Sequence, residues 1–313
     1  VSSRLSRTGF SVKSEPGERL TGLHIIALRA QGQLALVRAS AQGSFLGGRG
    51  RAGAPRSFLK SAANIWRWRQ FAFEMALQKS LARYRNMVLG PLWISIAFGL
   101  YGVGMAFLFA TLMNRPFEQY MPYLVSGLFI WNMISSSISE GPRILLDYRS
   151  LILQGQIPMA VYPLISNLKQ WVLMLHGLPV LVIALAITPN ILTPQLLWLL
   201  PGLLVITIFC VSSSMILAIA GTYFPDIAEV VSSGMRFVFF VTPVVWMVDQ
   251  RPTLSILAHS NPLYYFLEMF RGPIMGTSDP AFVLMVSSLI ALGTAVVAFI
   301  VVRKFSLGSI VRI

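Results

Sequence analysis

The chain has 313 residues, 55% of them hydrophobic and only 12% charged, with a mean hydropathy of +0.69. A soluble domain carries about 25% charged residues, so this composition excludes an ordinary soluble enzyme and indicates an integral membrane protein. Of the formal charge of +14, residues 1–85 hold 15 Lys/Arg against 3 Asp/Glu (+12) and residues 86–313 hold 10 against 8 (+2), which suits a cytoplasmic flank on anionic lipid better than nucleic-acid binding.

Residues 1–57 are rich in Arg, Ser, Gly and Ala and end in "GSFLGGRGRAGAPRS". They are expected to form a disordered basic extension, and no ordered signal peptide is expected in them. Residues 58–86 predict an amphipathic interface helix, with Trp66, Phe73, Leu77 and Tyr84 on one stripe. Arg83 and Arg85 are expected to hold its end at the membrane surface, and Gly90-Pro91 to turn the chain into the first span.

Residues 87–313 predict an all-α integral membrane domain of six transmembrane helices, near 92–113, 120–139, 162–187, 196–222, 230–248 and 281–302. The basic residues of the connections place both termini in the cytoplasm. The loop 140–162, within the stretch "EGPRILLDYRSLILQGQIPMAVYPL" that begins at Glu140, holds an apolar core between charges, which suits a helix that docks on a soluble partner. Within 249–280, "SILAHSNPLYYFLEMFRGPIMG" is too apolar for a solvated loop and too broken to span. It predicts an external re-entrant pair of short helices that acts as an exit gate. Asn261 and Pro262 stand at its break, Tyr264 and Tyr265 on its face, and Arg271 at its end.

No enzyme constellation is present. The sequence lacks a GxxxxGK[ST] phosphate loop, so ATP cannot be bound in that way. His24, His176 and His259 lack metal-ligand spacing, and the single Cys210 excludes an intrachain disulfide. No catalytic, metal or cofactor site is expected. Lys169 and His176, seven residues apart, fall on one face of the third span and are candidates for a polar pathway.

Six stretches carry a family resemblance: "RYRNMVLGPLW", "YLVSGLFIWNMISSSISEG", "LILQGQIPMAVYPL", "YFPDIAEVV", "FFVTPVVW" and "NPLYYFLEMFRGPIMG", in this order over residues 60–313. The chain resembles the membrane subunits of bacterial ABC exporters for lipid-linked polysaccharides of O-antigen or capsule type. It departs from them in its long N-terminal extension and in Phe224-Pro225 before Asp226, where many relatives carry an Arg. The resemblance implies a homodimer with twelve spans in the bacterial inner membrane. Two copies of a separate ABC ATPase subunit would bind ATP and Mg and hydrolyse the nucleotide. It also implies a coupling helix around 147–157, with Asp147, Tyr148, Arg149, Leu151, Ile152 and Leu153, and a channel with aromatic walls. Trp93, Tyr101, Phe129 and Trp131 are the candidates for those walls. The competing readings are an exporter of teichoic-acid-like polymers or drugs, a membrane-embedded glycosyl transferase, and a membrane scaffold.

Overall fold

A computed structural model describes residues 67–82, 84, 89–90, 92–153, 157–187, 194–248 and 252–304. The expected basic extension 1–57, Trp66, Arg83, Arg85 and Pro91 lie outside the described residues. All regular structure among the described residues is helical. In chain order the helices are α1 (Arg69–Ala82), α2 (Leu92–Leu112), α3 (Phe117–Glu140), α4 (Ile144–Asp147), α5 (Arg149–Leu153), α6 (Val161–Leu175) and α7 (Leu178–Ala186). They continue with α8 (Leu199–Tyr223), α9 (Ile227–Val241), α10 (Pro252–Ser260), α11 (Pro262–Met275) and α12 (Pro280–Lys304). Short 3-10 turns at Gly141–Arg143 and Pro194–Trp198 lead into α4 and α8.

Helix α3 is the hub, packed against α2, α6, α7, α8, α9 and α11. This explains its composition. A helix enclosed by protein need not be oily, and α3 buries Ser126 and Ser137 among its neighbours. A second apolar cluster forms at the Glu140 end of the bundle. There Ala72 and Ala76 of α1 meet Ile144, Leu145, Tyr148, Tyr162 and Ile165.

The expected six spans are corrected. Among the described residues, three stretches are long and apolar enough to cross a membrane: Leu92–Leu112, Pro194–Tyr223 and Pro280–Lys304. A fourth is gained if α6 and α7, bent by 45° at His176-Gly177, make one span. The second expected span exists as α3, but its polar residues take it below the apolar requirement. The fifth fails on length. α9 has 15 residues, about 22 Å at 1.5 Å per residue, against about 30 Å of hydrocarbon. It stops because Thr242 precedes Pro243 and is extended, with φ −89° and ψ 137°.

The re-entrant pair is corrected too. The break at Asn261-Pro262 is present, but Gly272-Pro273 lies inside α11 and does not end it. Eleven of the 14 residues of α11 are buried. The apolar side chains expected to need an outer leaflet are buried by protein instead, so α11 is a core helix.

Where α2 begins, Gly90 has φ +49°, a left-handed conformation that glycine adopts without a Cβ clash. The amides of Leu92 and Trp93 then bond to the carbonyls of Leu89 and Gly90 at 3.1 and 3.3 Å. The expected turn is therefore real on its glycine side.

Candidate functional site

Three helices, each contributing a stripe at three- and four-residue spacing, enclose a cavity of about 650 Å³. α2 supplies Trp93, Phe98 and Tyr101; α3 supplies Phe129, Asn132 and Ser136; α6 supplies Gln170 and Met174. Trp93 and Tyr101 are about half exposed, and Phe129 forms the floor at 3% exposure. Its ring stacks on Phe270 at 5.6 Å between centroids and leans on Phe98 at 6.3 Å. Gly177 closes the wall because a Cβ there would press on Met174, Phe98 and Phe129.

One side of the cavity is polar. From Tyr120 to Ile134, Asn132 alone is exposed. Ser136 lies one turn further along the same stripe. Gln170 is 6% exposed and its Nε2 has no hydrogen-bond partner. None of the described lining residues is charged. Sequence reasoning missed Asn132, Ser136 and Gln170. The signal was helical spacing: Asn132 and Ser136 stand three and seven residues beyond Phe129 in α3, and Gln170 shares its stripe of α6 with Leu173 and Met174.

Trp93, Tyr101 and Phe129 are thus brought together, whereas Trp131 is not. Two residues along a helix turn a side chain about 200°, so Trp131 points away from Phe129 and packs edge-on against Phe239, 5.6 Å between centroids. Lys169 does not line the cavity either. Its Nζ pairs with Glu140 Oε2 at 2.5 Å, beside Ser166. His176 sits at the bend, where its backbone carbonyl accepts from Ser95 Oγ and its Nδ1 donates to Val172 O at 2.8 Å.

The expected coupling segment forms two short helices. Asp147 ends α4 rather than capping α5, and the Tyr148 carbonyl accepts the amides of Leu151 and Ile152 at 3.0 Å. Gln154–Gln156 lie outside the described residues. Tyr148 is buried, with Lys79 Nζ 3.5 Å from its ring centroid. Burial lowers the Lys79 pKa while Asp147 raises it, and burial pushes the Tyr148 hydroxyl upward. Leu151 and Ile152 pack on the second cluster, Arg149 is half-buried, and Leu153 is 57% exposed. In α1 the buried face is Ala72, Ala76 and Ser80, while Phe73 of the expected stripe is half exposed.

The expected gate residues surround the far end of α9. Asn261 accepts from the Leu263 amide at 2.9 Å and donates to Thr242 Oγ1 at 2.7 Å. Pro262 follows at the first turn of α11. Arg271 is fully buried, donating to Pro243 O at 2.9 Å and Val244 O at 3.3 Å, with its guanidinium 3.6 Å from the Tyr123 ring centroid. Tyr120 and Tyr123 donate to Val245 O and Trp246 O at 2.5 and 2.8 Å. These donors satisfy carbonyls of the non-helical segment that follows α9. Tyr264 lines a second cavity of about 620 Å³ with Tyr123, His259 and Glu268, and Tyr265 Oη donates to His259 O at 3.1 Å.

Among the described residues no group of His, Cys, Asp and Glu is arranged to hold a metal ion. The family described as ABC-2 type transporter matches residues 72–275. An O-antigen export system permease protein of Klebsiella pneumoniae is 27% identical over 198 residues, 62% of this chain and 75% of its own length. One of Myxococcus xanthus is 24% identical over 224 residues, 68% of this chain and 84% of its own length. The family match runs from within α1 to the last residue of α11 and takes in the whole aromatic cavity: the chain belongs to the ABC-2 type transporter family.

Proposed function

We propose that the chain is the permease subunit of an ATP-driven exporter that moves a lipid-linked polysaccharide of O-antigen or capsule type across the bacterial inner membrane. The observation that carries this reading is the aromatic cavity. Trp93, Phe98, Tyr101 and Phe129 offer flat apolar faces to sugar rings, and Asn132, Ser136 and Gln170 offer hydrogen bonds to hydroxyls. The relatives named above are O-antigen export permeases, which supports the same reading. ATP is bound by a separate ABC ATPase subunit, two copies of which serve a homodimer of this chain. α5 is the docking element, α1 lies at the membrane surface, both termini are cytoplasmic, and α10 with the start of α11 borders the exit.

The test is reconstitution of the chain with its ATPase partner in liposomes carrying lipid-linked polysaccharide. Transport should depend on ATP, and Trp93→Ala with Tyr101→Ala should lower it about tenfold while ATP binding persists, each lost ring contact contributing about 0.5–1.5 kcal/mol. Full transport by the double variant, or ATP hydrolysis by this chain alone, overturns the reading.

A further inference from the structure

The transport reading leaves one feature of the aromatic cavity unexplained. Its polar side is built from two amides and a hydroxyl, with no charge among the described lining residues. Gln170 is 6% exposed, yet its Nε2 lacks a partner. Buried amides are hydrogen-bonded in folded proteins, so an unpartnered one in a cavity wall marks where a ligand acceptor completes the set. Asn132, the one exposed residue between Tyr120 and Ile134, opens onto the same cavity. The nearest cation in the sequence of α6, Lys169, is held by Glu140 at 2.5 Å and so is already neutralised.

We infer that this cavity selects uncharged, hydroxyl-bearing saccharide units over phosphodiester-bearing units, with Gln170 and Asn132 as the specificity-determining side chains. The inference rests on the transport reading of the same cavity and narrows its substrate class. A neutral sugar ring has an apolar C–H face for the rings of Trp93, Tyr101 and Phe129. Its hydroxyls both donate and accept, which matches the paired donor and acceptor of a carboxamide. A phosphodiester carries a full charge that must shed its water on entry. Carboxamides and one hydroxyl compensate that loss poorly without a cation.

The experiment uses the purified full chain in lipid nanodiscs and two probes of equal length, a neutral trimannoside and a glycerol-phosphate trimer, with binding read by saturation-transfer NMR. The wild-type chain should bind the trimannoside about tenfold more tightly, the scale expected when a charged group loses water without a partner. Gln170→Leu, close in size and apolar, should weaken trimannoside binding about 5- to 10-fold. Asn132→Ala, at an exposed position that does not endanger folding, should weaken it in the same direction. Gln170→Lys should turn the preference toward the glycerol-phosphate trimer. Equal binding of both probes, unchanged by Gln170→Leu and Asn132→Ala, overturns the selectivity while leaving the cavity a saccharide site. Binding of neither probe at millimolar concentration overturns the saccharide reading of the cavity itself. Tighter binding of the phosphodiester probe by the wild-type chain reverses the inference.

Discussion

Arg271 has no exposed surface; its two terminal nitrogens donate to the carbonyls of Pro243 and Val244, the ring of Tyr123 lies against its guanidinium, and its Nε has no hydrogen-bond partner. The planar fork of arginine reaches two neighbouring carbonyls at once, which the single ammonium of lysine does less well. Beneath it, Gly127 leaves the room the guanidinium occupies, since a Cβ there would collide with Nη2. Arg271→Met should therefore cost about 2–4 kcal/mol, because it leaves buried carbonyls short of donors. Gly127→Ala should cost about 1–3 kcal/mol by overpacking. The double variant should cost clearly less than the sum, because once the guanidinium is gone the added methyl has space. Thermal unfolding of the three proteins in detergent checks this, and strict additivity would refute the contact. The sequence showed an arginine in an apolar segment and a proline two residues later, which reads as a helix end. It did not show that the carbonyls of residues 243 and 244, some 27 residues upstream, would be its partners. Long-range carbonyl capping leaves no local pattern.

At the scale of the element, α4 and α5 carry the clearest division between packing and docking. The apolar run "LILQGQIP" reads as a local helix because it sits between charges in a short connection, and its first three residues, Leu151, Ile152 and Leu153, end α5. Which of its residues face outward was not legible, since that depends on the second cluster built from α1, α6 and α8. Leu151 and Ile152 pack on that cluster, whereas Leu153 projects at 57% exposure. A charge at 152 should thus act on stability, and a charge at 153 on partner binding. Ile152→Asp is expected to destabilise by about 2–3 kcal/mol. Leu153→Asp is expected to change stability by no more than about 0.5 kcal/mol while reducing association with the ATPase subunit. Paired melting curves and pull-down with the ATPase separate the two effects. Undiminished association of Leu153→Asp would show that α5 is not the docking element. α1 teaches the same lesson. Phe73 of its aromatic stripe is half exposed, Trp68, Phe71 and Met75 pack on the second cluster, and the buried residues of α1 are the small Ala72, Ala76 and Ser80, which let two helix backbones come near.

Across the whole molecule, the helices with uniform apolar faces were the legible ones. α2 and α12 are mostly exposed along their length, and α8 with its leading turn is uniformly apolar although its second half packs on protein, so hydropathy finds all three. α3 and α11 are enclosed by other helices, so their polar and aromatic residues answer to protein neighbours and blur the reading. α9 is the intermediate case and bears on assembly. It is short, only Ala228 and Met235 are buried, and Val230, Phe237 and Phe240 are each about 70% exposed. Between these bulky residues lie Ser233 and Gly234, also exposed, and a Cβ at Gly234 would meet nothing. A bulky–small–bulky stripe suits close helix approach, which lipid alone does not require. In a two-fold dimer, residues near the axis meet their own counterparts. We therefore expect single cysteines at 230, 233, 237 and 240 to form disulfide-linked dimers in membranes, most efficiently at 233 or 237 in the middle of the stripe. The native Cys210 is fully buried and should not compete. A control cysteine at Leu100, 77% exposed on α2, reports on random collision. If cross-linking at 233 and 237 does not exceed that control, α9 is not a contact between two copies of the chain.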